Sequence, residues 1–122
     1  MEGNSSVGMK ENVAGLLSYL ATWVTGLIFF ILEKQSSFVK FHAAQSLVTF
    51  ATLSITGLAL SILSGIFKDV IGLGTIFWLL KGANTIAILI FWLAGMITSI
   101  QGKTVKFPFF GNIAETLVSK NP

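Results

Sequence analysis

Long apolar runs alternate with short polar breaks along this chain. Residues 13–32, 38–67, 70–80 and 85–100 are apolar, and the breaks fall at Glu33-Lys34-Gln35, Lys68-Asp69 and Lys81-Gly82-Ala83-Asn84. The twenty residues of the first run would rise about 30 Å as a helix, the thickness of a hydrocarbon core. The run is longer than the apolar part of a signal peptide, and no small-x-small cleavage site follows Leu32, so it reads as a retained span. Tyr19 and Trp23 share one stripe of it, and Gly15, Ala21 and Gly26 leave room for close helix contact.

Ser36 or Ser37 is placed to cap the second helix, which runs without interruption to residue 67. Thirty residues would rise about 45 Å, more than the core needs. The first turns are therefore expected in the headgroup region, with Phe38 and Phe41 dipping inward and Lys40 reaching water. The rest is rich in Ser, Thr and Gly, which favours helix–helix packing, with an aqueous lining as the alternative.

The run 70–80 is eleven residues, too short to cross alone. A lysine at the bilayer centre costs about 2.5–3.5 kcal/mol, so Lys81 is expected near an interface or snorkelling to one. The expected fold class is all-α, an integral membrane helical bundle with three full spans and an interfacial tail. Residues 70–80 are either an interfacial or re-entrant half-helix or the irregular entry to one long tilted helix from about Thr75 to Ile100, and four spans, the third short, is the alternative. Residues 1–10 are expected to be disordered, 11–118 to form one membrane domain, and 119–122 to be its C-terminal end. With three spans, Lys34, Lys40, Lys103, Lys106 and Lys120 face Lys10, Lys68 and Lys81, which predicts a multi-pass cell-membrane protein with its N-terminus outside and its tail cytoplasmic.

Composition agrees. Of 122 residues 53% are hydrophobic and 11% charged, too little polar surface to cover a water-soluble fold. Eight lysines are scattered and there is no arginine, which argues against nucleic acid and for membrane-surface anchors. With no cysteine, one histidine and few carboxylates, no metal site or cofactor is expected. An enzyme would need convergent titratable groups, and inside the runs only His42 and Lys81 are candidates, so none is expected.

The candidate chemistry lies where the second helix begins. Phe38, His42 and Gln45 fall on one face, with Lys40 and Phe41 beside them. Two readings of His42 stand: a structural one, in which it is neutral, shielded and bonded to a carbonyl of the tail or a neighbouring helix end, and a functional one, in which it titrates or meets a substrate. A second motif follows the last run. Gly102 suits a helix C′ position, and Lys103 to Gly111, with Phe107, Pro108 and Gly111, suits an extended interfacial segment before a short helix capped by Asn112.

Glu11-Asn12-Val13-Ala14-Gly15-Leu16-Leu17-Ser18-Tyr19-Leu20, Phe38-Val39-Lys40-Phe41-His42-Ala43-Ala44-Gln45-Ser46 and Phe107-Pro108-Phe109-Phe110-Gly111-Asn112-Ile113-Ala114 resemble a widespread family of small prokaryotic membrane proteins of unknown function. That family is similar, more distantly, to the twenty-kilodalton component of the protein-import translocon of the chloroplast inner envelope. The resemblance implies a helical bundle and, by analogy, a non-enzymatic part of a channel-like or protein-translocation-related assembly. The alternative is a membrane-organising scaffold that binds lipid and partner proteins. Either implies the lipid bilayer, further copies or other membrane proteins as partners. The short run 70–80 departs from the four-span plant pattern.

Overall fold

The computed structural model describes residues 5, 6 and 8–120. It holds five helices: α1 Glu11–Leu20, α2 Trp23–Leu32, α3 Ser37–Ile66, α4 Leu73–Ile100 and α5 Phe110–Lys120. Among the described residues, α3 and α4 are long and apolar enough to cross a membrane.

The first apolar run departs from its expected form: it is a hairpin, not a span. The chain breaks at Ala21-Thr22, where Thr22 takes φ 56°, a conformation rare for a β-branched residue. Hydroxyls satisfy the backbone groups that the break releases. Thr25 Oγ1 accepts from the Ala21 N–H at 3.1 Å and donates to the Ser18 carbonyl at 3.2 Å. Ser46 donates to the Thr22 carbonyl at 2.8 Å. Such compensation is what permits a broken helix in an apolar setting.

The contacts on each side give the directions. Asn12 donates to the Ile100 carbonyl and Trp92 to that of Leu20, so α1 runs antiparallel to the end of α4. Thr22 meets Ser46, and Phe30 lies under the Lys40 ammonium, so α2 runs back along the start of α3. Glu11, at the start of the hairpin, and Glu33, just after its end, therefore both bond to Ser36. Each arm has 10 residues and reaches about 15 Å, half a hydrocarbon core. This removes the first of the three expected spans. It also brings residues 5 and 6 to the same end as the tail, against the expectation of termini on opposite sides.

Of the two forms expected for this region, α4 takes the single long helix and not a half-helix at 70–80. It runs unbroken through Lys81-Gly82-Ala83-Asn84, and the irregular segment is 67–72, ending at Gly72 with φ 78°. The polar interruption persists as helix because its amide has a partner: Asn84 donates to the Leu53 carbonyl of α3 at 3.0 Å. The expected disorder of residues 1–10 falls partly on 1–4 and 7, which lie outside the described residues. Within that stretch Ser6 is tied to Glu33. The tail helix begins at Phe110, so Asn112 lies inside it and is no cap.

Burial is uneven along the two long helices. On α3 the buried residues lie between Val39 and Phe50, and the rest of the helix carries outward apolar side chains such as Ile55 and Leu58. The core sits at this closed end, where Tyr19, Phe50 and Phe107 form one cluster and Phe41, Ala44 and Ala114 another.

Candidate functional site: a polar knot at the closed end

α3 presents His42 and Gln45 to α1 on one side and to the tail on the other. His42 Nδ1 lies 2.8 Å from the Tyr19 hydroxyl, and Nε2 lies 2.9 Å from the Lys103 carbonyl. A carbonyl only accepts, so Nε2 carries the proton and Nδ1 accepts from Tyr19. The Tyr19 oxygen in turn accepts from Gln45 Nε2 at 2.9 Å. Gln45 also donates to the Val105 carbonyl at 3.1 Å and accepts from the Phe107 N–H at 2.8 Å. With a neutral imidazole every donor in this chain meets an acceptor. Tyr19, His42 and Gln45 are all 0% exposed.

Local structure aims each partner. Gly102, at φ 77°, closes α4 with the paired bonds Gly102 N–H to Ser99 and Lys103 N–H to Thr98, which turns the Lys103 carbonyl onto His42. Phe107 is buried between Tyr19 and Phe91, with ring centroids 5.9 and 4.8 Å away. Gly111 allows the tail to close over Gln45, since a Cβ there would lie 3.0 Å from Gln45 Oε1 and 2.5 Å from Lys106 Cβ. Pro108 is exposed at the turn into α5, and its carbonyl accepts from Phe110 N–H at 2.7 Å. Phe38 and Phe41 flank the imidazole at 4.6 and 5.4 Å. Lys40 departs from its expected path to water: it is buried along α2, with Nζ 5.4 Å above the Phe30 ring. The tail from Lys103 to Phe107 therefore docks on the helices rather than lying free in the interface.

Sequence reasoning placed Tyr19 on a packing stripe and missed its role. A lone tyrosine in an apolar run was the available signal, because its hydroxyl needs a partner there. It also missed a second polar site. The Glu33 carboxylate accepts from Ser6 N–H and Oγ–H, from Gln35 N–H at 2.9 Å and from Ser36 N–H at 2.8 Å. Burial alone raises its pKa, but the N–H groups of Ser36, Ser6 and Gln35, with the Ser6 hydroxyl, outweigh this and hold the carboxyl below its ordinary value. Glu33 thereby ties the N-terminal segment to the hairpin base, next to the Ser36 cap of α3.

Residues 6–114 match the magnetosome magnetite crystal formation protein family. The chain belongs to this family. The match begins at Ser6, which Glu33 holds, and ends at Ala114, which is buried against Phe41, so it takes in the whole knotted fold. A UPF0132 membrane protein of Methanocaldococcus jannaschii is 39% identical over 110 residues, 90% of this chain and 71% of that protein. A second one from the same organism is 39% identical over 113 residues, 93% of each chain. A UPF0132 membrane protein of Archaeoglobus fulgidus is 42% identical over 107 residues, 88% of this chain and 94% of that one. No solved structure matches. The chain is thus a member of a family of small prokaryotic membrane proteins.

Proposed function

We propose that the protein is a non-enzymatic, membrane-organising component, acting through the surfaces it shows to lipid and to neighbouring membrane proteins. The observation that carries this reading is the closure of the knot: the groups with chemical potential, His42, Tyr19 and Gln45, hold α1, α3 and the tail together and face no open cavity. Mineral formation, the activity in the family's description, would call for carboxylates open to a crystal. Among the described residues Glu11 and Glu33 are buried, and the two exposed carboxylates, Asp69 and Glu115, stand apart at opposite ends of the fold rather than gathered on one face.

In this reading α3 and α4 span the cell membrane and the α1–α2 hairpin enters from one side. Lys10, Lys34, Lys40, Lys103, Lys106 and Lys120 then belong to the closed end, against Lys68 and Lys81 on the far part. That bias favours both termini in the cytoplasm.

A channel-like or translocation-related assembly, the role by analogy with the chloroplast translocon component, is the second reading. Thr52 and Thr56 favour it, because they face outward on α3 and several copies could turn them toward a shared path. Against it, three of the other hydroxyls on α3 are engaged: Ser46 with Thr22, Ser61 with Gly57 and Ser64 with Gly74. Reconstitution into liposomes containing spin-labelled lipid separates the two. The organising role gives a motionally restricted lipid fraction with no conductance above the bare bilayer. Discrete conductance steps would overturn it in favour of the channel.

A further inference from the structure

We propose that the fold is a wedge that fits a convexly curved leaflet, with the closed end on the outer, expanded side. This deepens the membrane-organising reading and rests on it.

The geometry is a mismatch of cross-section between the two halves of the bilayer. Helices α1, α2, α3 and α4 pass side by side through the first 15 Å or so from the closed end, and only α3 and α4 continue beyond Thr22. A helix with its side chains occupies about 80–110 Å² in section, so the protein's cross-section is roughly twice as large in the near leaflet as in the far one. α5 widens the near side further, packed through Ala114 against Phe41 and Ala44.

Two observations place the hairpin in acyl chains rather than in water. Its base is polar, with Glu11, Asn12 and Glu33, while its tip and outer face expose Leu20, Trp23, Val24, Ile28 and Ile31. That gradient matches entry from the headgroups toward the bilayer midplane. Under the tip, Trp23, Ala51, Ser54, Ile55 and Leu58 line an open, almost wholly apolar hollow of about 320 Å³. The hairpin overhangs the α3–α4 arm there, and lipid chain ends from the far leaflet fit the overhang. A flat bilayer must splay its near-leaflet lipids around such a body, whereas a convex near leaflet supplies the extra area. The protein therefore has a higher affinity for the curved state, and it shifts the membrane toward that shape as any ligand shifts an equilibrium it binds unequally.

The test uses the full chain carrying a fluorophore at Ser119→Cys, reconstituted into one lipid mixture that spans small and large vesicles. The expected result is a protein density on the smallest vesicles about threefold or more above that on the largest, with the label there open to an impermeant quencher. Equal density at all sizes, or enrichment with the label facing the lumen, would overturn the wedge. Lipid restriction without size sorting would do so too, while leaving the organising role in place. A second arm uses Leu58→Trp with Ile62→Trp, two exposed positions on the far part that touch nothing in the knot. Added bulk there narrows the mismatch, so the folded variant is expected to lose most of the enrichment. Unchanged sorting by a folded variant would count against the proposal.

Discussion

The two halves of α3 obey different rules. Between Val39 and Phe50 most side chains are buried, and three polar ones hold specific partners: His42 meets Tyr19 and Lys103, Gln45 meets Tyr19, Val105 and Phe107, and Ser46 meets Thr22, while the Thr49 hydroxyl has none among the described residues. Beyond Phe50, Ile55, Leu58, Ile62 and Ile66 point outward, and the side-chain bonds to α4 reduce to Asn84 with Leu53 and Ser64 with Gly74. In a membrane the second half is already in a good solvent, because lipid is as apolar as its side chains. Hydrophobic burial therefore does not order the two helices there. At the closed end a unique structure comes from polar groups that would be costly if left unpaired. Stability should thus be concentrated where the polar partners are, on the same two helices.

The sharpest way to break this comparison is to ask which end is which. The chain has no cysteine, so single cysteines at Lys10, Lys34, Ser119 and Asp69 can be labelled with an impermeant reagent in intact cells and in inverted vesicles. Lys10, Lys34 and Ser119 are expected to react from one side and Asp69 from the other. Labelling of Lys10 and Lys34 from opposite sides would restore a full first span and remove the hairpin.

Next come glycines on the two parts of α4. A Cβ at Gly95 would lie 2.5 Å from the Tyr19 ring, while at Gly82 nothing comes within 4 Å. Gly95→Ala must displace Tyr19, and with it the hydroxyl that His42 and Gln45 share. A loss of about 2–4 kcal/mol is expected, read as a large drop in thermal midpoint in detergent. Gly82→Ala adds a methyl group facing lipid and is expected to be neutral or to stabilise by up to about 1 kcal/mol. Similar losses at both positions would show that order is spread evenly along α4.

The polar contacts themselves come third. His42→Ala leaves the Tyr19 hydroxyl and the Lys103 carbonyl short of a partner, and about 1–3 kcal/mol of stability should be lost. Thr56→Ala, an exposed hydroxyl on the same helix, should change stability by less than about 0.5 kcal/mol. Glu33→Gln should also lose about 1–3 kcal/mol at neutral pH, because an amide cannot accept all the N–H bonds that gather on the carboxylate. The sign of its pH dependence follows from the lowered pKa. The carboxylate's contribution is fully present above the ordinary, unfolded-state pKa and disappears as the pH falls through the lower folded value. Wild type and Glu33→Gln should therefore converge in acid and separate at neutral pH. Parallel melting curves across that range would remove Glu33 from the lock.

How much of this was legible in the sequence varies with the range of the interaction. The cap at Ser36, the C′ glycine at Gly102 and the shared face of Phe38, His42 and Gln45 are local, and residues three or four apart declare them. A carbonyl partner for His42 was foreseeable because a buried imidazole needs one, and the tail was near at hand once Gly102 ended the last helix. The break at Ala21-Thr22 was not legible. Apolar periodicity runs straight through it, and the groups that satisfy the turn include Ser46, 24 residues away. For the same reason Asn84 looked like an interruption of a helix when it is a tie between two, since its partner carbonyl is at Leu53. Length and hydropathy count residues well, but they do not tell a chain that crosses from one that turns back.

The smallest effect should come from Lys81, and its smallness is informative. Lys81 is exposed on the far part of α4, eight residues from the start of the helix at Leu73, or about 12 Å along it. A helix of 28 residues, about 42 Å long, overhangs a core of about 30 Å by several ångströms at each end, so the lysine stem can carry its ammonium to the headgroups. Asp69, the acidic residue of the adjoining break, forms no ion pair with it among the described residues. Lys81→Leu therefore removes a charge that has no fixed partner and adds apolar surface to a segment already in lipid. Thermal stability in detergent is expected to change by less than about 0.5 kcal/mol, with folded yield equal to or slightly above wild type. A collapse of yield with the closed end otherwise intact would mean that Lys81 has a partner in the assembled membrane. The far part would then be specified by polar contacts between molecules, as the closed end is within one.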